Sequence, residues 1–235
     1  MKAKMLKLSD YDHPLVKNTA LEITKGLETV EEKIAAIFYY VRDEIKFQFP
    51  DEGDLVTASQ IIKFGYGQCN NKTTLSLALC RAIGLRARVH FSLIKKEIQR
   101  GLITGLFYWK IPEKISHSWL EVLVNNKWVK IDSYINDKEF YLAGKRKLRE
   151  KGWNLGYSIA CSINESSSEL NLNNEQFVQM DAVTDDHGIY EDPMDYYRSS
   201  KYRNRPNALT LFIYKLFIKS VNDTVKDMRH SCCSI

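Results

Sequence analysis

The stretch from Ser116 to Tyr134 leaves the backbone few choices. Ser116-His117-Ser118-Trp119-Leu120-Glu121-Val122-Leu123-Val124 and Lys127-Trp128-Val129-Lys130-Ile131-Asp132-Ser133-Tyr134 flank Asn125-Asn126. Asparagine tolerates positive φ, so the pair can fill a two-residue hairpin turn. That turn sets Val124 opposite Lys127, Trp119 opposite Asp132 and His117 opposite Tyr134. Leu120, Val122, Val124, Val129 and Ile131 then share one face, which must be the core face. His117, Trp119, Glu121, Trp128, Lys130 and Asp132 share the other. A slip of one residue would move the apolar set to the wrong face, so the register is well determined. His117 and Asp132 become diagonal neighbours on one face, within reach of polar side chains.

A second stretch fixes a helix. Gly65-Tyr66-Gly67-Gln68 approaches Cys69, and Asn70 and Asn71 are residue types that favour a helix start. An apolar run follows and stops at Gly84, a good C-cap residue. Cys69 is therefore expected in the first turn of a buried helix, where unpaired N–H groups and the helix dipole favour thiolate over thiol. A thiolate is the nucleophilic form. Taken alone, a cysteine in a glycine loop also reads as a small buried hydrophobe.

The rest of the N-terminal half reads as supporting structure. His13-Pro14-Leu15-Val16 opens a helix to about Leu27. Thr29 with Glu32 forms a capping box, and Ile34, Ile37, Phe38, Val41 and Ile45 give a helical period over 30–46. Phe47–Pro50 is extended, Thr57–Lys63 is a short helix, and 85–91 alternates like a strand. Residues 92–115, with Phe107-Tyr108-Trp109, read as a loop or flap with some structure of its own.

Composition bounds the class. With 235 residues, 44% hydrophobic and 27% charged, the chain suits a globular protein of one large domain or one and a half. The net charge of +5 is spread thinly; Lys145-Arg146-Lys147 and the Lys201–Arg205 block read as solvated surface, so no nucleic-acid partner is expected. Five cysteines without regular spacing or a C-x-x-C pair indicate neither a disulfide scaffold nor a zinc site. No metal or cofactor is expected. No secretory leader or spanning segment is visible, so the expected setting is cytoplasmic, without membrane association.

A nucleophilic cysteine needs a base, and the base needs an orienting group. Cys69, His117 and Asp132 supply the three roles in that order, the first from a helix start and the others from a sheet. At these residues the segment 31–134 resembles the transglutaminase-like superfamily. The resemblance lies in Tyr40-Val41-Arg42-Asp43, in Gly67-Gln68-Cys69, in Arg81-Ala82-Ile83-Gly84-Leu85-Arg86-Ala87-Arg88, in His117-Ser118-Trp119-Leu120-Glu121-Val122 and in Trp128-Val129-Lys130-Ile131-Asp132. It implies an α+β, papain-like fold with the cysteine helix packed on an antiparallel sheet. It also implies acyl transfer through a thioester at Cys69, on a peptide or glutamine amide. The oxyanion would take the Cys69 N–H and one donor from Gln60, Gln48 or Tyr66. Trp119 would contact substrate. Asn70-Asn71 departs from the pattern of many relatives and is expected to alter the substrate side of the site.

On this reading, residues 1–137 form the catalytic core and 138–235 an extension packed on it as one domain. In the extension, Tyr141–Lys145 is a helix start and Gly156–Cys161 a strand. Asn164–Asn174 is a polar loop. Asp181, Asp185, Asp186 and His187 read as a turn in preference to a metal cage. Leu209, Phe212, Ile213, Leu216 and Phe217 line a helix over 207–221 that is expected to pack on the core, with membrane or partner contact as the alternative. Cys232 stands at a prenylation position, although Cys233 and Ser234 are not aliphatic. Hydrolysis of peptide amides is the favoured activity. Transamidation, acetyl transfer from coenzyme A to an arylamine, and a binding module without turnover are the rivals.

Overall fold

The structure, a computed structural model, describes residues 7–161, 166–202 and 205–231. Two N-terminal helices come first, α1 (Pro14–Ile23) and α2 (Val30–Tyr39). The second starts at the expected capping box, with Thr29 Oγ1 accepting from Glu32 N and Glu32 returning the bond to Thr29 N. The helix expected to reach residue 46 changes at Tyr40–Glu44 into a wider π-turn. Lys72 Nζ donates to the Arg42 carbonyl at 3.3 Å, which draws that oxygen out of the regular ladder. Strand β1 (Lys46–Phe47), helix α3 (Ala58–Phe64) and strand β2 (Tyr66–Gly67) follow, with β1 and β2 paired in parallel.

Helix α4 (Cys69–Ala82) is buried along almost its whole length. It packs on a four-stranded antiparallel sheet of order β5-β4-β3-β8. Its strands are β3 (Ala87–Lys95), β4 (Lys114–Val124), β5 (Lys127–Ile131) and β8 (Val183–Tyr190). The β4–β5 register is the one the Asn-Asn turn dictates, with Val124 opposite Lys127 and Leu120 opposite Ile131. Asn125 and Asn126 take φ of 48° and 63°, the left-handed region the turn requires. Leu120, Val122, Val124, Val129 and Ile131 are all buried.

Residues 92–115 are more regular than a flap: β3 runs on to Lys95, a short turn and helix α5 (Gly105–Lys110) follow, and β4 begins at Lys114. Beyond the sheet come α6 (Lys138–Lys151), the small hairpin of β6 (Leu155–Gly156) and β7 (Ile159–Ala160), α7 (Pro193–Arg198) after β8, and α8 (Ala208–His230).

Two expectations change here. The cluster Asp181, Asp185, Asp186 and His187 is not a turn; its last three members lie in edge strand β8. Pairing with β3 overrides the local preference of these polar residues, because Asp186 meets His90 at 2.6 Å and Asp185 meets Lys114 at 2.7 Å. Among the described residues no group of acids, histidines and cysteines is arranged to hold a metal. Helix α8 is longer than expected, and its first three turns leave Leu209, Phe212, Ile213 and Leu216 exposed, so only its later part packs as core. Cys232 and part of the Asn164–Asn174 loop lie outside the described residues.

The C-terminal half closes onto the N-terminal one at several points. Buried Asp192 accepts from Leu8 N at 3.0 Å and from Ser9 N at 3.1 Å. Asp137, the N-cap of α6, holds Arg229 of α8 at 2.7 Å.

Candidate active site

The sequence expected Cys69 in the first turn of a helix, and it is the first residue of α4. Gln68 is the N-cap, accepting from Asn70 N at 3.4 Å through its side chain. Asn71 Oδ1 accepts from Gln68 N at 3.2 Å, completing a reciprocal cap. Gly67 is needed for the approach, since a Cβ there would stand 2.9 Å from Asn71 Cβ. Asn70 ties the helix start to β4: its Nδ2 donates to Ser116 Oγ at 3.3 Å and its Oδ1 accepts from Ser118 Oγ at 2.9 Å. Asn70 therefore grips the strand on both sides of His117. Asn70 and Asn71 build the scaffold of the site, and they touch its cavity through Ser116 and through Gly53, whose carbonyl accepts from Asn71 Nδ2 at 3.1 Å.

Cys69 Sγ donates to Gln68 Oε1 at 2.8 Å, and Gln68 Nε2 donates in turn to Asp54. Burial pushes the Cys69 thiol well above its ordinary range, and the nearby carboxylates Asp54 and Asp132 add to the shift. The backbone amides at the helix start pull the other way and lose. Burial thus works against the thiolate that the helix position favours, because removing a charge from water opposes the pull of the helix terminus.

His117 is fully buried, and neither ring nitrogen has a hydrogen-bond partner among the described residues. Burial pushes its pKa down to about 3. Strand alternation sends it to the opposite face of β4 from Ser116 and Ser118, beside the Trp119 ring at 6.1 Å. Asp132 follows β5 directly and is also fully buried. It accepts from Val178 N at 2.7 Å and Gln179 N at 2.8 Å. Burial still raises its pKa to about 7 against those bonds. The fold thus brings the Cys69 helix start onto the segment of β4 that carries His117, but the imidazole lies on the other face of that strand; neither it nor Asp132, on the next strand, lines the cavity at Cys69, and no hydrogen bond joins His117 to either partner. Loose or open catalytic hydrogen bonds are common in unliganded thiol enzymes.

The other expected site residues separate. Gln60 is exposed and caps α3, its Oε1 accepting from Thr57 N at 2.9 Å. Gln48 lies beside the cysteine loop through its backbone, donating to Gly67 O at 3.2 Å. Tyr66 stacks on Phe64 at 5.7 Å. Trp119 is buried and stacked on His90 at 4.2 Å, so its ring is taken up inside the protein. None of the four lines the cavity at Cys69. Two residues that do were missed: Asp54 and, as a side chain that could serve the oxyanion, Gln68. Adjacency to the cysteine could have pointed to Gln68; nothing local marks Asp54.

The cavity holds about 290 Å³, with Asp54, Gln68, Cys69 and Ser116 at its polar end. Its remaining lining is mostly apolar, with Gln99 and Thr210 among it, and Leu211, Tyr214 and Phe217 of α8 form one wall. The C-terminal half therefore shapes the space above the cysteine.

Two solved structures are similar in part. A candidate cysteine protease from Cytophaga hutchinsonii has 15% identity and a TM-score of 0.48, over 81% of this chain and 46% of its own. A candidate protease from Parabacteroides distasonis has 15% identity and a TM-score of 0.37, over 53% of this chain and 25% of its own. The chain spans less than half the length of these proteins. No curated protein matches it. The sequence model of the transglutaminase-like superfamily matches residues 17–133, which hold Cys69, His117 and Asp132 and run from α1 to just past β5. Through this segment the chain belongs to the transglutaminase-like superfamily.

Proposed function

We propose that the chain is a cysteine-dependent hydrolase of peptide or glutamine amides. The observation that carries the reading is Cys69, first residue of a buried helix, at the polar end of a cavity and bound through Asn70 to the strand that carries His117. In the proposed cycle Cys69 Sγ attacks the amide carbonyl and its proton passes to His117. The C–N bond breaks as His117 gives that proton to the leaving amine. Water then attacks the thioester, releasing a carboxylic acid and restoring the thiol. Asp132 orients the imidazole, and the Cys69 N–H stabilises the oxyanion together with a second donor, a role Gln68 Nε2 takes on release from its bond to Asp54. The apolar cavity walls favour hydrolysis of substrates with a bulky apolar group beside the scissile bond.

A second reading is favoured by the unpartnered imidazole and the Gln68-bound thiol: a peptide-binding module that keeps the residues without turnover. The two are separated by release of amine from a fluorogenic peptide-amide library, with Cys69→Ala and His117→Ala as controls. Turnover lost in both variants supports the enzyme. Binding of peptides without turnover, and iodoacetamide labelling of Cys69 that does not depend on His117, supports the module. Incorporation of an added primary amine would move the reading to transamidation, and cleavage of acetyl-coenzyme A to acetyl transfer.

A further inference from the structure

Helix α8 is apolar on two sides over its first three turns. Leu211, Tyr214, Phe217 and Ile218 line the Cys69 cavity. Leu209, Phe212 and Leu216, three or four residues apart on the other side, are 67%, 61% and 65% exposed. A helix apolar all round is ordinarily buried, so the outer stripe is out of place in water. Helix α5 extends it: Phe107 stacks on Phe217 at 4.6 Å, and Leu106 and Trp109 are 69% and 76% exposed. Such a contiguous apolar surface marks an interaction site.

The charges around it say what covers it. Residues 199–222 carry Lys201, Arg203, Arg205, Lys215 and Lys219 and no acid. Residues 98–112 carry Arg100 and Lys110 and no acid. Lys215 and Lys219 lie one turn apart beside the exposed stripe. The exposed turns themselves carry Lys110, Lys215 and Lys219 and no acid, with Glu97, Glu113, Asp51 and Glu52 only at the flanks, and such a stripe matches the boundary of an anionic bilayer, where apolar side chains enter the acyl region and lysines meet headgroup phosphates. A protein partner's groove would commonly answer with its own charges of either sign, and a second copy of this face would bring cations against cations. No helix among the described residues is long and apolar enough to cross a membrane, which leaves contact in the plane of the interface.

We propose that the outer face of α8 and α5 seats the protein on an anionic phospholipid surface, with the Cys69 cavity behind the same helix wall. Co-sedimentation with vesicles of phosphatidylcholine plus phosphatidylserine, and of phosphatidylcholine alone, tests this on the full chain. The expected result is binding to the anionic vesicles that weakens with added salt. Leu216→Asp and Phe212→Asp each lower the partition by about tenfold or more, since either removes a side chain's worth of apolar burial. Lys215→Glu with Lys219→Glu lowers binding to anionic vesicles and leaves any binding to neutral ones unchanged. All of these positions are exposed, so unchanged melting curves check that the fold survives. Wild-type protein that binds neither vesicle overturns the proposal, as does binding indifferent to the three variants. A concentration-dependent dimer abolished by Leu216→Asp, without vesicle binding, would assign the face to a second copy instead.

Discussion

Asp132 and His117 titrate in opposite senses in the folded protein, and their effect on stability can be separated. Burial lifts the Asp132 pKa to about 7, above an unfolded value of about 3.9. Between these values the folded state holds a proton that the unfolded state has lost, so this group makes stability fall as pH rises from about 4 to 7. Burial lowers the His117 pKa to about 3, below an unfolded value of about 6.5. Between those values the unfolded state holds the extra proton, so this group makes stability rise with pH over about 3 to 6.5. Each slope is about 1.4 kcal/mol per pH unit, and in the wild type the two nearly cancel.

Substitution breaks the cancellation. Asp132→Asn removes the falling contribution, so its stability relative to wild type should climb by about 2.5 kcal/mol between pH 4.5 and 6.5. His117→Gln should drop by a similar amount over the same interval. Urea unfolding at three pH values for the three proteins reads both differences, and each variant's constant offset from altered hydrogen bonding falls out of the comparison. The opposite signs would refute the reasoning. They would mean that Asp132 is ionised beside an imidazolium, with the aspartate pKa lowered and the histidine pKa raised, so that the resting site is an assembled ion pair.

Three further outcomes follow from the packing. Asp192→Ala strips the N-cap of α7 and leaves the buried Leu8 and Ser9 amides without an acceptor; a loss of about 3 kcal/mol by urea unfolding is expected. Gly101→Ala should cost about 3 kcal/mol or more in the same assay, because φ is +86° and the new Cβ would overlap the Tyr157 ring. Burial alone would raise Glu121, but its bonds to His90 and Arg88 hold the pKa down to about 2. Its contribution is therefore present above about pH 4.5 and lost as pH falls toward 2, so Glu121→Gln should flatten acid unfolding across that window and cost about 2–3 kcal/mol at neutral pH.

The hairpin and the helix start were legible because several local signals agree there. Alternation, β-branched residues and the Asn-Asn turn all demand one register, and the cap residues around Cys69 all demand one helix start. The burial of Cys69 was not legible, because the helix terminus is a local feature whereas the elements that cover the thiol and raise its pKa come from far along the chain. Edge strand β8 was hidden for a related reason. Its aspartates and histidine look like turn formers until β3 supplies the ladder and His90 and Lys114 supply partners. The Asp54–Gln68–Cys69 chain joins residues that no motif spacing connects. The two faces of α8 could not be told apart from periodicity, since both are apolar.

The attachment of α8 explains why a segment beyond the family match belongs to the site. Asn222 uses its side-chain amide as a piece of backbone: Phe49 N donates to its Oδ1 at 2.9 Å, and its Nδ2 donates to Phe49 O at 2.9 Å. One turn later Val225 is buried, and Arg229 then reaches Asp137 and the Phe47 carbonyl. The bonds to Phe49 and Phe47 fall on the segment that leaves α2 and pairs with Tyr66–Gly67, and Asp137 joins it by accepting from Phe47 N at 2.9 Å. The second half of α8 is thereby fixed to the same backbone that positions the cysteine loop, and the first half projects from that anchor as the cavity wall. A displacement of the projecting turns would change the width of the cavity without disturbing Asn70, Ser116 or Ser118. The scaffold that fixes Cys69 against β4 and the wall that governs access to it are thus held by separate sets of bonds, so binding at the outer face of α8 can alter entry to the site while the cysteine stays in place.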